Sequence, residues 1–301
     1  MQFETTTTMT QILDVLFEVY ANRVPDVKKI TAAMVQKKMV ASQNEIINDH
    51  IAFRTMGVPH LGITSFEKIF LAHGYKKMDF YHFESKKLDA YWYAPPTPDL
   101  PRIFISELKV PTLSETVQNI IYSYTDSLSA DPVDALNLND VQAVSRYFQT
   151  PLWDLPTLED YEILLKESEY AAWVIFNRYY LNHYTISVHD LPKPYNRLED
   201  FNLFLKSIGI RLNTSGGEIK TSADKLLRQS SSVANEVEAL FAKNKARKIA
   251  GSYVEFAERG VLPEFNKFKQ SEIKRNHRRE GFETSNADRI FESTFTSQLK
   301  K

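Results

Sequence analysis

The sequence predicts an α+β fold in which two β-α-β-β-β modules curl into a half-barrel, with helices ahead of the first module and between the two. Three observations carry this prediction. A His-led segment of alternating character occurs twice, as His50-Ile51-Ala52-Phe53-Arg54-Thr55 and as His183-Tyr184-Thr185-Ile186-Ser187-Val188. Each is followed by a helical stretch that stops at a glycine, Gly74 or Gly209, which lies 24 or 26 residues beyond the histidine. Each unit closes on a strand-like run holding a glutamate, Glu107 in the first and Glu255 in the second. Self-similarity of this kind reads as a duplicated supersecondary unit.

Taken in order, residues 1–48 carry apolar positions at helical spacing, first Ile12, Leu13, Leu16, Phe17 and Tyr20, then Val27, Ile30, Met34 and Val35, and predict two helices. The first module, 49–110, begins on the His50 strand. A helix bearing Phe66, Ile69 and Phe70 follows and is capped by Gly74, and strands are predicted over 75–83, 89–93 and 102–108. A helical insertion, 111–180, holds candidates over 113–128, 139–148 and 158–180, with loops around Pro132 and from Pro151 to Pro156. The second module, 181–261, repeats the pattern with a helix at Phe201, Phe204 and Leu205 and strand-like runs over 211–220, 226–233 and 248–258. The charged segment 262–301 clusters Lys274, Arg275, Arg278 and Arg279, reads as a solvated helix face and is assigned no function.

Composition narrows the chemistry. A net charge of -1 and a pI near 6.7 give no bulk electrostatic reason to expect nucleic acid or an anionic membrane as partner. Cysteine is absent, so disulfides, thiolate nucleophiles, iron–sulfur clusters and cysteine-based zinc sites are excluded. The Thr-rich stretch Met1 to Thr10 has no Lys or Arg and so lacks a signal-peptide n-region, and the longest apolar run, Tyr170 to Phe176, is too short to span a membrane. The expectation is a cytoplasmic protein.

A metal, if bound, must therefore use histidine and carboxylate. Alternation along a strand puts His50, Ala52 and Arg54 on one face and Ile51, Phe53 and Thr55 on the other. It likewise groups His183, Thr185 and Ser187, and it groups Tyr253, Glu255 and Ala257. His50, His183 and Glu255 thus form a candidate ligand set, two imidazoles and a carboxylate, that suits Fe(II) with open positions for substrate and dioxygen, although Mn or Zn fits the same donors. Arg54 lies on the His50 face, where a guanidinium can capture a carboxylate. Glu107, the repeat partner of Glu255, is open to three roles, a fourth ligand, a supporting partner of the ligands or a structural residue; it is left out of the metal set because an iron site needs open positions. His60, His73, His82 and His277 read as structural. For His189, at a strand end beside Asp190, both a ligand and a structural role stay open. Gln229, Ser230, Ser231 and Ser232 are weaker candidates for substrate contacts.

The paired modules resemble the vicinal oxygen chelate superfamily, whose units curl around a metal. More narrowly, Asn48-Asp49-His50-Ile51-Ala52-Phe53-Arg54-Thr55, Asn182-His183-Tyr184-Thr185 and Tyr253-Val254-Glu255-Phe256 resemble the 2-oxoadipate dioxygenase/decarboxylase family over about residues 10–260. The resemblance implies an Fe(II) enzyme that turns 2-oxoadipate and dioxygen into 2-hydroxyglutarate and carbon dioxide, late in lysine breakdown. It implies His50, His183 and Glu255 as metal ligands, with the two histidines also facing substrate, and Arg54 as the substrate-carboxylate arginine. The family also has a more C-terminal substrate contact, whose position in this sequence the quoted segments leave open. The competing readings are a metal-dependent lyase, isomerase or hydrolase on the same scaffold, and a metal-free small-molecule binding module.

Overall fold

In the computed structural model, which describes residues 6–300, the chain opens on α1 (Thr8–Arg23), capped by the Thr7 side chain accepting from Thr10 N. Residues 1–5, part of the Thr-rich stretch considered above, lie outside the described residues, as does Lys301. Pro25 begins α2 (Pro25–Gln36), a position where its missing N–H loses nothing. The first module follows as β1 (Asn48–Met56), α3 (Ile63–Ala72), β2 (Lys76–Phe83), β3 (Leu88–Ala94) and β4 (Arg102–Leu108). Four helices come next: α4 (Glu115–Thr125), α5 (Val141–Gln149), α6 (Leu158–Glu167) and α7 (Glu169–Asn177). The predicted single helix over 158–180 is interrupted at Ser168, whose extended backbone ends α6 and whose side chain accepts from Ala171 N to cap α7.

The second module contains β5 (His183–Ser187), α8 (Leu198–Ser207), β6 (Lys220–Thr221), β7 (Leu227–Ser231), β8 (Glu236–Phe241), β9 (Lys245–Ala250) and β10 (Tyr253–Arg259). Here the structure departs from the sequence expectation twice. The run 211–220 is not a strand; only its last residue joins β6, apart from an isolated bridge between Leu212 and Ser232. The run 248–258 is two strands, because β8 and β9 form a separate hairpin inserted before β10. The chain then closes with α9 (Thr284–Phe291) and α10 (Thr296–Leu299).

One eight-stranded sheet, ordered β2-β3-β4-β1-β5-β10-β7-β6, forms the curled half-barrel. Read outward from the central antiparallel β1/β5 pair, each half repeats the same scheme: a parallel neighbour, β4 or β10, then antiparallel strands. Apolar residues on the outer face pack under the helices. Phe53 of β1 meets Phe66 and Phe70 of α3 and Phe148 of α5, with ring centroids 4.8 to 5.8 Å apart. Phe256 of β10 meets Phe201 of α8. This face anchors the strands, so the inner face is free to carry polar groups.

The C-terminal segment was expected to be a solvated helix face, and it is not. Arg275 donates to the Pro98 and Leu100 carbonyls and Arg278 to the Arg259 carbonyl, which pins the segment to strand ends. Arg259 in turn donates to the carbonyls of Arg279 and Gly281. Basic residues that look like surface charge in the sequence serve here as multidentate donors to backbone carbonyls. The chain beyond them carries Phe282 and α9 across the mouth of the half-barrel.

Candidate metal centre

The inner face of β1 presents His50, Ala52 and Arg54 to a pocket that also receives His183, Tyr253 and Glu255. One ligand atom from each of His50, His183 and Glu255 lies within 4.8 Å of the others, and all three residues are buried. His50 Nε2 is 3.4 Å from Glu255 Oε1, and His183 Nε2 is 3.0 Å from Glu255 Oε2. This last pair lacks the alignment of a hydrogen bond, and both atoms are without a hydrogen-bond partner. Buried polar atoms left so are rare in folded proteins, and a cation shared among the three donors would satisfy them.

Second contacts fix the orientation of each group. Asp49 Oδ2 lies 2.8 Å from His50 Nδ1, and Asn182 Oδ1 lies 3.1 Å from His183 Nδ1. In both modules the residue just before the histidine therefore holds Nδ1–H and turns Nε2 inward. Asp49 is itself gripped by Arg259, whose Nε and second terminal nitrogen reach its two oxygens at 2.7 and 2.9 Å, and by Arg102 at 3.1 Å. Gln229 donates to Glu255 Oε1 at 2.6 Å and accepts from Asn286 of α9. The Thr185 hydroxyl lies 3.0 Å from His50 Nε2, within hydrogen-bond distance.

The electrostatics favour positive charge at the centre of the triad. Burial opposes a charged imidazole at His50, yet the Glu255 and Asp49 carboxylates overcome it and raise its pKa above the ordinary value. For His183 burial prevails, helped by His50 and Arg54, and the pKa falls. Glu255 is buried too, but the two imidazoles hold its carboxyl well below the usual range. Asp49 is held low in the same way, by Arg259 and Arg102 acting against its burial.

Arg54 lies at the other end of the pocket. Its terminal nitrogens donate to Thr294 Oγ1 at 3.0 Å and to the Phe291 carbonyl at 3.1 Å, and its charged carbon stands 5.1 Å from the ring centres of Tyr170 and Trp173. Phe282 closes the near end, its ring 4.8 Å from that of His50. The C-terminal residues Phe282, Ala287, Ile290 and Phe291 thus line the pocket, and sequence reasoning gave this segment no role. Its apolar positions at helical spacing, Ala287, Ile290 and Phe291, were the available signal.

Other expectations sort clearly. Glu107 pairs in register with Thr55 on the helix side of the sheet and accepts from Ile63 N at the start of α3. The register opposes His50 to Arg102 and His183 to Tyr253, so the counterpart of Glu255 is Phe104, two residues along, and not Glu107. His189 accepts from Arg259 N with Nδ1 and lies away from the triad, and burial pushes its imidazole down to about 4. Gln229 faces Glu255, whereas Ser230, Ser231 and Ser232 bond Asn202, Ser293 and Val254 N. His73 bonds the Leu138 carbonyl, His82 bonds Asp89 and Glu84, His277 stacks on Phe265, and His60 is an exposed turn residue with positive φ.

Two mirrored half-sheets with a two-histidine, one-carboxylate group at their seam define a glyoxalase-like half-barrel. The same fold occurs in a glyoxalase superfamily protein from Ralstonia eutropha, which matches with a TM-score of 0.66 over 90% of this chain and 84% of that one at 21% identity. Within this class the chain belongs to the 2-oxoadipate dioxygenase/decarboxylase family, whose model matches residues 12–270. A chloroplastic 2-oxoadipate dioxygenase/decarboxylase of Arabidopsis thaliana is 42% identical, over 96% of this chain and 78% of the relative. The crystal structure of hydroxyglutarate synthase from Oryza sativa in complex with 2-oxoadipate matches with a TM-score of 0.87 and 40% identity, covering 96% of this chain and 93% of that one. Among the described residues, no helix is long and apolar enough to cross a membrane.

Proposed function

We propose that this chain is an Fe(II)-dependent dioxygenase/decarboxylase that converts 2-oxoadipate and dioxygen to 2-hydroxyglutarate and carbon dioxide. The observation that carries the reading is one pocket with a ligand-competent His50, His183 and Glu255 at one end and a buried arginine, Arg54, at the other. Family membership and the likeness to a synthase solved with 2-oxoadipate support it.

His50, His183 and Glu255 are the residues that would hold Fe(II), which supplies a centre able to chelate a 2-oxo acid and activate dioxygen. Asp49, Asn182 and Gln229 keep the donor atoms aimed inward. Arg54 receives the remote carboxylate of the substrate, which sets the chain's register along the pocket and orients the carbon to be hydroxylated. Phe104, Phe282, Ile290 and Phe291 form an apolar wall that keeps bulk water from the reacting end.

Oxygen uptake by the Fe(II)-loaded protein with 2-oxoadipate tests the reading. One dioxygen consumed per carbon dioxide released, with 2-hydroxyglutarate as product, is the expected result. Equal turnover under argon would replace it with a lyase or isomerase, and absence of both metal binding and turnover would leave a binding module.

A further inference from the structure

Tyr253 opens β10 two residues before Glu255, so both side chains leave the same face of the strand. Its ring lies against that of His183, with centroids 4.7 Å apart and planes inclined by 33°. The side chain lines the pocket and the residue is only 1% exposed, yet its hydroxyl has no hydrogen-bond partner. It lies beside the Arg54 guanidinium, close enough for both its charge and a side-chain contact to favour the ionised form, yet no bond between the two reaches hydrogen-bond geometry. Arg54 Nε also lacks an acceptor.

The other aromatic residues around Arg54 are already engaged. The Tyr170 hydroxyl is engaged with Ser106 and Thr55, and the Trp173 indole donates to the Gly251 carbonyl. A buried donor left unmatched is costly, because it has given up its water and gained no partner. Two such donors side by side, one of them cationic, call for a single anionic acceptor between them. Arg54 lies four residues along β1 from His50, roughly 13 Å at the rise of a strand. That separation matches a short dicarboxylate with one end at the triad and the other at Arg54.

We propose that Tyr253 is a specificity-determining residue whose hydroxyl joins Arg54 in binding the carboxylate remote from the chelating end of a 2-oxo dicarboxylic acid. The proposal rests on the functional reading above. It separates the role of Arg54, which supplies charge, from that of Tyr253, a neutral donor that fixes where the carboxylate stops. Monocarboxylate 2-oxo acids of the same length gain nothing from Tyr253.

The test uses Fe(II)-loaded protein under argon, where turnover is blocked, and compares calorimetric affinities for 2-oxoadipate and 2-oxohexanoate in wild type and Tyr253→Phe. The expected result is a roughly tenfold loss for 2-oxoadipate, the effect of one hydrogen bond to a charged group, with 2-oxohexanoate affinity unchanged. Iron content should stay at the wild-type level. The ligand-free variant should be at least as stable as wild type, since it loses only an unmatched hydroxyl; a structural hydroxyl would make it less stable. Equal loss for both acids, or loss for neither, overturns the proposal. Wild-type protein that fails to bind 2-oxoadipate overturns the functional reading instead, a result visible without any variant, and the proposal falls with it.

Discussion

Asp49 shows how one residue can govern a site it does not enter. Its carboxylate holds the His50 ring and pairs with two buried arginines, Arg259 from the end of β10 and Arg102 from the start of β4, the latter shared with Glu280. Asp49→Asn keeps the shape but removes the charge. Ligand-orienting partners of this type typically change metal affinity by about 10–100-fold, and Fe(II) or Zn(II) titration should show a loss of that order. The same change leaves Arg259 without its buried counter-charge, while Arg102 keeps Glu280, so guanidinium unfolding should also show a loss of about 3–5 kcal/mol. A variant with wild-type metal affinity would mean that the Asp49 contact does not orient the His50 ligand.

At the scale of elements, α9 is the piece that completes the pocket. Phe291 packs edge-on against Phe83 of β2, with centroids 5.1 Å apart, and against Tyr170 of α7, while its carbonyl accepts from Arg54. Asn286 on the same helix reaches Gln229 and, through it, Glu255. Truncating Phe291 to Ala should therefore cost about 3–5 kcal/mol of stability, the usual range for a buried phenylalanine. It should also weaken 2-oxoadipate binding, because Arg54 loses the packing that holds its guanidinium. Unfolding by guanidinium and calorimetric binding measure the two effects, and a stability change within experimental scatter would show that α9 is not packed as described.

At the scale of the whole molecule, the proposed metal ties the two half-sheets together. His50 belongs to β1 of the first module, while His183 and Glu255 belong to β5 and β10 of the second. A ligand that binds only the folded state stabilises it by mass action, by about 2.7 kcal/mol at one hundred times its dissociation constant. Adding Zn(II) or Fe(II) to chelator-treated protein should raise its unfolding midpoint, and His183→Ala should abolish the response while staying folded. An equal metal-induced rise in that variant would remove His183 from the ligand set.

Much of this architecture was legible from local pattern, because the period of two in a strand and the position of a helix-ending glycine depend on residues near in sequence. The His-led strands, the helices capped near Gly74 and Gly209, and the inward face of His50, Ala52 and Arg54 follow from that periodicity alone. Register does not follow from it. Glu107 and Glu255 occupy similar places in their strands, and only the pairing of His50 with Arg102 and of His183 with Tyr253 turns one outward under α3 and the other toward the triad. The inserted β8/β9 hairpin, the Arg259 grip on Asp49 from 210 residues away, and the return of Phe282 and α9 over the pocket belong to the tertiary structure as well. These contacts arise when distant segments compete to bury apolar surface and to satisfy buried charge. No short window of sequence contains both partners.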